Sequence, residues 1–346
     1  DIPEAHFNLG VALKGLGENK AAIDSYRRAL QLRPGYTDAR INTGVALAAL
    51  GRHSEAIGIY REVLRGKPGS AELHNSLGVS LAALDQYPEA IAAYEKAVEL
   101  RPRYHEAWNN LGISLDASGR HDEAVAGYEK ALALRPDYAK AHHNLGITLM
   151  KLGRHKEAIT CFSKTIDLRK DLEEAHNNLG LALLALDRPS EAAASFRFAL
   201  GINPDYYEAL VNLGDTLGYL EQYDEAFRSY RHALSIVPDA PEALASLIKQ
   251  KRRICDWDNL DPLTQHLRLT ATSGDAAISP WDFLSITDDP AEQLQCAQAF
   301  CRKKVLHPEP FPLVEPVGRE TEIRIAYLSA DFRNHPVSQL LSLIHI

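Results

Sequence analysis

Little in this 346-residue sequence invites covalent or metal chemistry. Cysteine occurs four times, at Cys161, Cys255, Cys296 and Cys301. None falls in a Cys-x-x-Cys pair or at metal-ligand spacing, which excludes a zinc module and a redox dithiol. Cys296 and Cys301 come nearest to a pair and read as two residues on one helix, so the thiols are expected reduced, in a cytoplasmic protein. Positive charge is in deficit: 38 Lys and Arg against 46 Asp and Glu leave −8. The chain therefore lacks a basic footprint for nucleic acid and an electrostatic reason to sit on anionic lipid. No apolar run is long enough to span a bilayer. No signal peptide is visible, and because the chain opens on Asp1 its natural start is expected upstream. What remains, 45% hydrophobic and 24% charged residues, is ordinary for a folded soluble chain of up to two domains.

What the sequence has in abundance is self-similarity. Glycine recurs every 34 residues, at Gly10, Gly44, Gly78, Gly112, Gly146, Gly180 and Gly214. Alanine keeps the same register from Ala22 to Ala226, and an aromatic follows four residues later at Tyr26, Tyr60, Tyr94, Tyr128, Phe162, Phe196 and Tyr230. Proline closes the units at Pro34, Pro68, Pro102, Pro136, Pro204 and Pro238, with Lys170 alone breaking the series.

In the unit "HEAWNNLGISLDASGRHDEAVAGYEKALALRPDY", Trp108, Leu111 and Leu115 share one helical face, and Ala124, Tyr128 and Ala131 share a face of the next helix. Gly112 and Ala124 are expected to be small so that the two helices can approach. Gly119 is expected to end the first helix, and Pro136 to stop the second. These columns resemble the tetratricopeptide repeat over seven units, residues 1–238. The resemblance implies an all-α, right-handed superhelical solenoid of helix-turn-helix units whose concave inner face binds peptide. At Lys170 the same hairpin is expected, with a slightly longer or looser second helix.

One polar column stands two residues before the glycines: Asn8, Asn42, Asn110, Asn144, Asn178 and Asn212, with Ser76 in the remaining unit. An amide both donates and accepts, so a ladder of them could grip an extended backbone without regard to its sequence. The plainer reading is that they hydrogen-bond locally between neighbouring repeats. His74, His142 and His176 share the column of Trp108, with His105 and His143 nearby; they read as packing rather than as metal ligands, since no ligand pair recurs. "KQKRR", Lys249 to Arg253, reads as a solvated helix end that could touch a phosphate.

After Pro238 the rhythm fades. Residues 239–318 read as a helical cap that begins like an eighth first helix and runs on, then a helix capped by Asp288 or Asp289 before Pro290, then a connector carrying Pro308, Pro310, Pro312 and Pro316. "RIAYLS" reads as a buried strand built on Ile323, Ile325, Tyr327 and Leu328, and "ADFRNHP" as a polar turn. A solenoid followed by "CDW" (Cys255 to Trp257), "DDPAEQLQCAQAF" and "RIAYLSADFRNHPVSQLL" is together similar to the protein O-linked N-acetylglucosamine transferase family. That resemblance implies a glycosyltransferase moving N-acetylglucosamine from UDP-GlcNAc, a donor substrate and not a cofactor, to Ser or Thr of proteins. Residues 319–340 would be the opening strand and loop of a two-lobed GT-B domain. His335 matches the active-site histidine of the family's motif, and Asn8, Asn42, Asn110, Asn144, Asn178 and Asn212 match its acceptor-polypeptide ladder. Ser76 shortens one rung, and Arg333 stands where a small residue is common.

The sequence carries no donor-binding second lobe, so the fragment is expected to be inactive. "LSLIHI", Leu341 to Ile346, is what CTG TCT CTT ATA CAC ATC encodes, the end of a transposase adapter, and is expected to be sequencing read-through. The competing reading is a non-enzymatic scaffold for protein–protein interaction, which residues 1–238 fit equally well. A different donor, such as the GDP-fucose of plant relatives, is the third.

Overall fold

Each 34-residue unit folds as a pair of helices joined by a tight turn. The computed structural model describes residues 2–272, 278, 279, 283 and 286–304. First helices are α1 (Pro3–Gly15), α3 (Thr37–Ala49), α5 (Ala71–Ala82), α7 (His105–Ala117), α9 (Ala139–Lys151), α11 (Glu173–Leu184), α13 (Tyr207–Tyr219) and α15 (Pro241–Arg253). Second helices are α2 (Asn19–Leu32), α4 (His53–Gly66), α6 (Tyr87–Leu100), α8 (His121–Leu134), α10 (His155–Leu168), α12 (Pro189–Ile202), α14 (Tyr223–Ile236) and α16 (Leu260–Thr272), and α17 (Pro290–Lys304) follows. The described residues thus form an all-helical solenoid of seventeen helices with no strand. The expected strand at 323–328, the connector, the loop with His335 and the "LSLIHI" end lie outside the described residues.

The turn within each hairpin is set by one residue in the left-handed region. It recurs at Gly17, Gly51, Asp85, Gly119, Gly153, Asp187, Glu221 and Cys255, each 34 residues after the last, with φ between 56° and 79°. The following amide bonds back to the first helix, as Arg120 N–H does to the Leu115 carbonyl at 2.9 Å, which satisfies a carbonyl the helix end would otherwise orphan. Cys255 is the eighth member of this series. The expectation that the segment after Pro238 runs on into a longer helix is therefore corrected: α15 stops at Arg253 and the chain reverses into α16, an eighth hairpin.

Second helices end alike because the next residue restricts them. Arg33, Arg101, Arg135 and Asn203 each cap a second helix with φ between −127° and −140° and each precede proline, which disfavours the α region before it. Arg169 adopts φ −141° although Lys170 follows, and α10 has the same 14 residues as α8. The longer second helix expected there is not found. The Arg169–Asp171 ion pair at 3.0 Å repeats Arg135–Asp137 at 3.1 Å, so the chain leaves the helix in the same way with and without the proline.

The core is a column of small–large pairs. Tyr26, Tyr60, Tyr94, Tyr128, Phe162, Phe196 and Tyr230 are all at most 2% exposed. A Cβ added at Gly112 would lie 2.7 Å from Cε1 of Tyr128, and the same holds in each unit. Gly112 is therefore small to admit the ring of its own repeat, rather than the backbone around Ala124. In the eighth hairpin the sizes are exchanged. Ile248 stands in the glycine register, fully buried, and Thr264 in the aromatic register. Between units, each second helix packs on the next first helix, and successive first helices also touch, from α1 with α3 to α13 with α15. No two successive second helices approach to that degree.

Beyond the hairpins, Asp289 caps α17, its Oδ1 accepting from Ala291 N–H at 2.9 Å. Arg268 forks onto Glu292 at 2.9 and 2.8 Å, tying α16 to α17. No described helix is long and apolar enough to cross a membrane.

Candidate functional site

The first helices bury one face and present a stripe of residues at i, i+4 and i+7 on the other. In α7 this stripe reads Glu106, Asn110, Ile113; in α9, Lys140, Asn144, Ile147; in α11, Glu174, Asn178, Leu181; in α13, Glu208, Asn212, Asp215. The opposite face supplies Ala107, Leu111 and Leu115 of α7 to the core. Stacking the units therefore lines up three rows: carboxylates, amides and aliphatic side chains.

Each amide of the later rungs is bonded to the preceding first helix. Asn110 Nδ2 donates to Asn75 Oδ1 at 3.1 Å, Asn144 to Asn109 at 3.2 Å, Asn178 to His143 Nε2 at 3.1 Å and Asn212 to Asn177 at 2.9 Å. Each bond joins one first helix to the preceding one. The local inter-repeat bonding read from the sequence as the plainer alternative is thus present, yet it does not exhaust an amide, which has a second N–H and a carbonyl with two lone pairs. The rungs are oriented by the bond and, being half-buried, remain partly open to solvent. Earlier rungs differ. Asn42 accepts from Lys14 Nζ at 2.9 Å and donates to the Asp38 carbonyl, Ser76 bonds to the Glu72 carbonyl of its own helix, and Asn8 is exposed.

His143 makes one rung pH-sensitive. Asn178 Nδ2 can only donate, so Nε2 of His143 must carry the lone pair and the ring must be neutral. Burial pushes the imidazole below its ordinary value of 6.5, partly offset by the charge of Glu174. Since the folded value lies below the unfolded one, the unfolded chain takes up the proton first as pH falls. This rung's contribution is therefore complete above 6.5 and is lost as pH falls from there toward the folded value. His143→Asn, which copies Asn109 and Asn177, should flatten the acid side of the unfolding-temperature profile by a few degrees relative to the unsubstituted chain. Parallel profiles between about pH 7.5 and 5.5 would remove the claim.

The column of His74, Trp108 and His142 has a role that residue type alone did not reveal. Each ring N–H donates to the carbonyl of the proline closing the preceding unit: His74 Nε2 to Pro68 at 2.9 Å, Trp108 Nε1 to Pro102 at 3.0 Å and His142 Nε2 to Pro136 at 2.9 Å. Arg40 does the same to Pro34 at 2.7 Å, and His176 bonds the backbone of Lys170. The shared signal is a ring or guanidinium N–H six residues after the closing position. A second structural knot is Asp116, whose carboxylate takes Lys151 Nζ at 2.6 Å, His121 Nδ1 at 2.8 Å and Thr148 Oγ1 at 3.0 Å. Burial there would raise the carboxyl, but Lys151 and His121 outweigh it and hold it below the ordinary aspartate value. In the "KQKRR" run, Lys251 pairs with Asp256 and Arg253 donates to the Gly218 carbonyl at 3.3 Å.

Among the described residues no group of His, Cys, Asp or Glu could hold a metal ion. His335 lies outside the described residues.

Comparison with known proteins agrees with the geometry. A family model described as TPR repeat matches residues 80–116 and 117–153, and models described as tetratricopeptide repeat match 7–71, 137–205 and 207–239. Among solved structures the chain is similar to pilF of Pseudomonas aeruginosa, with a TM-score of 0.52 and 21% identity over 59% of this chain and 93% of that one. It is also similar to the APC/C hetero-tetramer Cut9-Hcn1, with a TM-score of 0.52 and 17% identity over 81% of this chain and 52% of that one. At such identities the likeness concerns the fold. YrrB, described as a TPR protein with an unusual peptide-binding site, aligns at 25% identity over 54% of this chain and 95% of its own, with a TM-score of 0.47. No curated protein matches the chain in sequence.

Proposed function

The chain belongs to the tetratricopeptide-repeat family, and from that premise we propose that it binds extended segments of other proteins along its row of first helices. The observation that carries this is the bonded amide row of Asn110, Asn144, Asn178 and Asn212. Amides whose orientation is already fixed lose little entropy on binding, and what they still offer, one donor and one acceptor, is what an extended backbone lacks. Recognition is then of main chain more than of side chains. Successive first helices approach one another more closely than successive second helices do, which supports putting the row on the inner, concave side of the curve. A fluorescently labelled unfolded polypeptide should bind the full chain saturably; absence of saturable binding overturns the reading.

A second reading rests on the sequence "RIAYLSADFRNHP", which resembles the family of protein O-linked N-acetylglucosamine transferases. In it the polypeptide held by the solenoid is an acceptor. N-acetylglucosamine passes from UDP-GlcNAc to a Ser or Thr hydroxyl, with His335 beside the transferred sugar, and the cytoplasm is the compartment that the spacing of the cysteines supports. Transfer of labelled sugar by the protein expressed from its natural gene, lost in His335→Ala, is the expected result. No transfer from any nucleotide sugar leaves the binding role alone.

A further inference from the structure

The aliphatic row beside the amides is only partly used by the fold. Val11, Val79 and Ile113 are 41%, 42% and 42% exposed in mid-helix, and Val45, Ile147 and Leu181 occupy the same register half-buried, the last two against the core. β-Branched side chains are poor choices for a partly solvated helix surface, since they lose rotamer freedom there. The seventh unit has Asp215 in this register on an intact helix, so the backbone accepts a charged residue at the position. An aliphatic residue in six successive units therefore points to something that covers it.

The row also has a period. Packed helices sit on the order of 10 Å apart, and the amide bonds hold one first helix to the next, so consecutive aliphatic side chains are separated by about that distance. A β-strand advances about 3.3 Å per residue and turns successive side chains to opposite faces, so its third residue points away from the row. A polyproline II segment has three residues per turn and a rise of about 3.1 Å, which brings the same face back after roughly 9 Å. Its backbone makes no internal hydrogen bonds, leaving its carbonyls for the amide row.

Charge narrows the occupant further. Four residues before each rung stand Glu4, Asp38, Glu72, Glu106, Glu174 and Glu208, with Lys140 the one exception. Among the described residues Asp38, Glu174 and Glu208 carry no ion pair, and all three are exposed. A segment with Lys or Arg complements this edge, and an acidic one is repelled.

We propose that the partner segment is a polyproline II stretch with an aliphatic residue at every third position and basic residues among the others. This rests on the polypeptide-binding reading and specifies its ligand. The test measures fluorescence anisotropy of labelled 15-residue peptides with the full chain. One peptide is five copies of Val-Pro-Lys, and the other has the same composition with the valines out of period. The periodic peptide should bind at least about 10-fold more tightly. Val79→Gln with Ile113→Gln, neutral and good helix formers, should erase the difference, while Val79→Leu with Ile113→Leu should keep it.

Equal binding of the two peptides overturns the proposal. If an unfolded Gly/Ser/Thr polypeptide then still binds, the broader reading survives; if no polypeptide binds, both fall. Sedimentation that shows self-association abolished by Val79→Gln with Ile113→Gln, with no peptide bound, would assign the row to a second copy of the chain and also overturn it.

Discussion

Gly112→Ile should cost about 3 kcal/mol of stability, and Tyr128→Thr in the same chain should restore most of it. A Cβ at residue 112 would lie 2.7 to 2.9 Å from three ring atoms of Tyr128, and that ring, 2% exposed, has no free volume into which to retreat. The gain in helix propensity over glycine, under about 1 kcal/mol, offsets only part of the clash. Gly58→Ala is the control. Nothing lies within 4 Å of a Cβ there, and the substitution should stabilise by about 1 kcal/mol. The double variant, Gly112→Ile with Tyr128→Thr, copies the arrangement the eighth hairpin already uses at Ile248 and Thr264. Urea or thermal unfolding compares the three variants with the unsubstituted chain. If Gly112→Ile is as stable as Gly58→Ala, the ring is not what excludes a side chain; if the double variant is no better than the single, the exchange of sizes in the eighth hairpin is not an equivalent solution.

Asn110→Ala with Asn144→Ala and Asn178→Ala should weaken polypeptide binding on the order of 100-fold, since three lost hydrogen bonds near 1 kcal/mol each add to about two decades. The same substitutions strip Asn75, Asn109 and His143 of a donor. Asn109 is only 2% exposed, and an orphaned buried acceptor costs about 1–3 kcal/mol, so binding must be compared where the helical signal is intact. A companion variant separates fixing from contact. Asn75→Ala with Asn109→Ala and His143→Ala keeps the rung amides but frees them to rotate. It should lose affinity by a smaller factor, through entropy alone. Unchanged affinity in the first variant, with the fold persisting, would end the ladder reading.

The seven-unit solenoid was legible because its small–large pairs repeat in residue type. Gly112 and Tyr128 announce each other at fixed distance, and Pro136 marks the stop. The eighth hairpin was hidden because both markers change together, to Ile248 and Thr264, while the position that persists is a backbone conformation carried by Cys255. Half of that conformational series, Asp85, Asp187, Glu221 and Cys255, is not glycine, so no residue column displays it. The length of α10 was not legible at Lys170 for the converse reason: a missing proline suggests a missing stop, whereas Arg169 keeps the conformation without it. In the candidate site, the asparagine column could be read directly. Its partners were less plain, since His143 interrupts Asn75, Asn109 and Asn177 and what all four share is a lone pair turned toward the next unit.

A chain of near-identical units has a folding hazard of its own: any first helix can dock on the second helix of the wrong unit, because seven glycines accept seven rings interchangeably. The exchanged pair removes that degeneracy at one end. Ile248 cannot sit beneath Tyr230 or any other ring of the series, and Thr264 set over a glycine would leave a hole. A slip by one unit therefore stalls when it reaches α15 and α16, which act as a registration mark for the whole array.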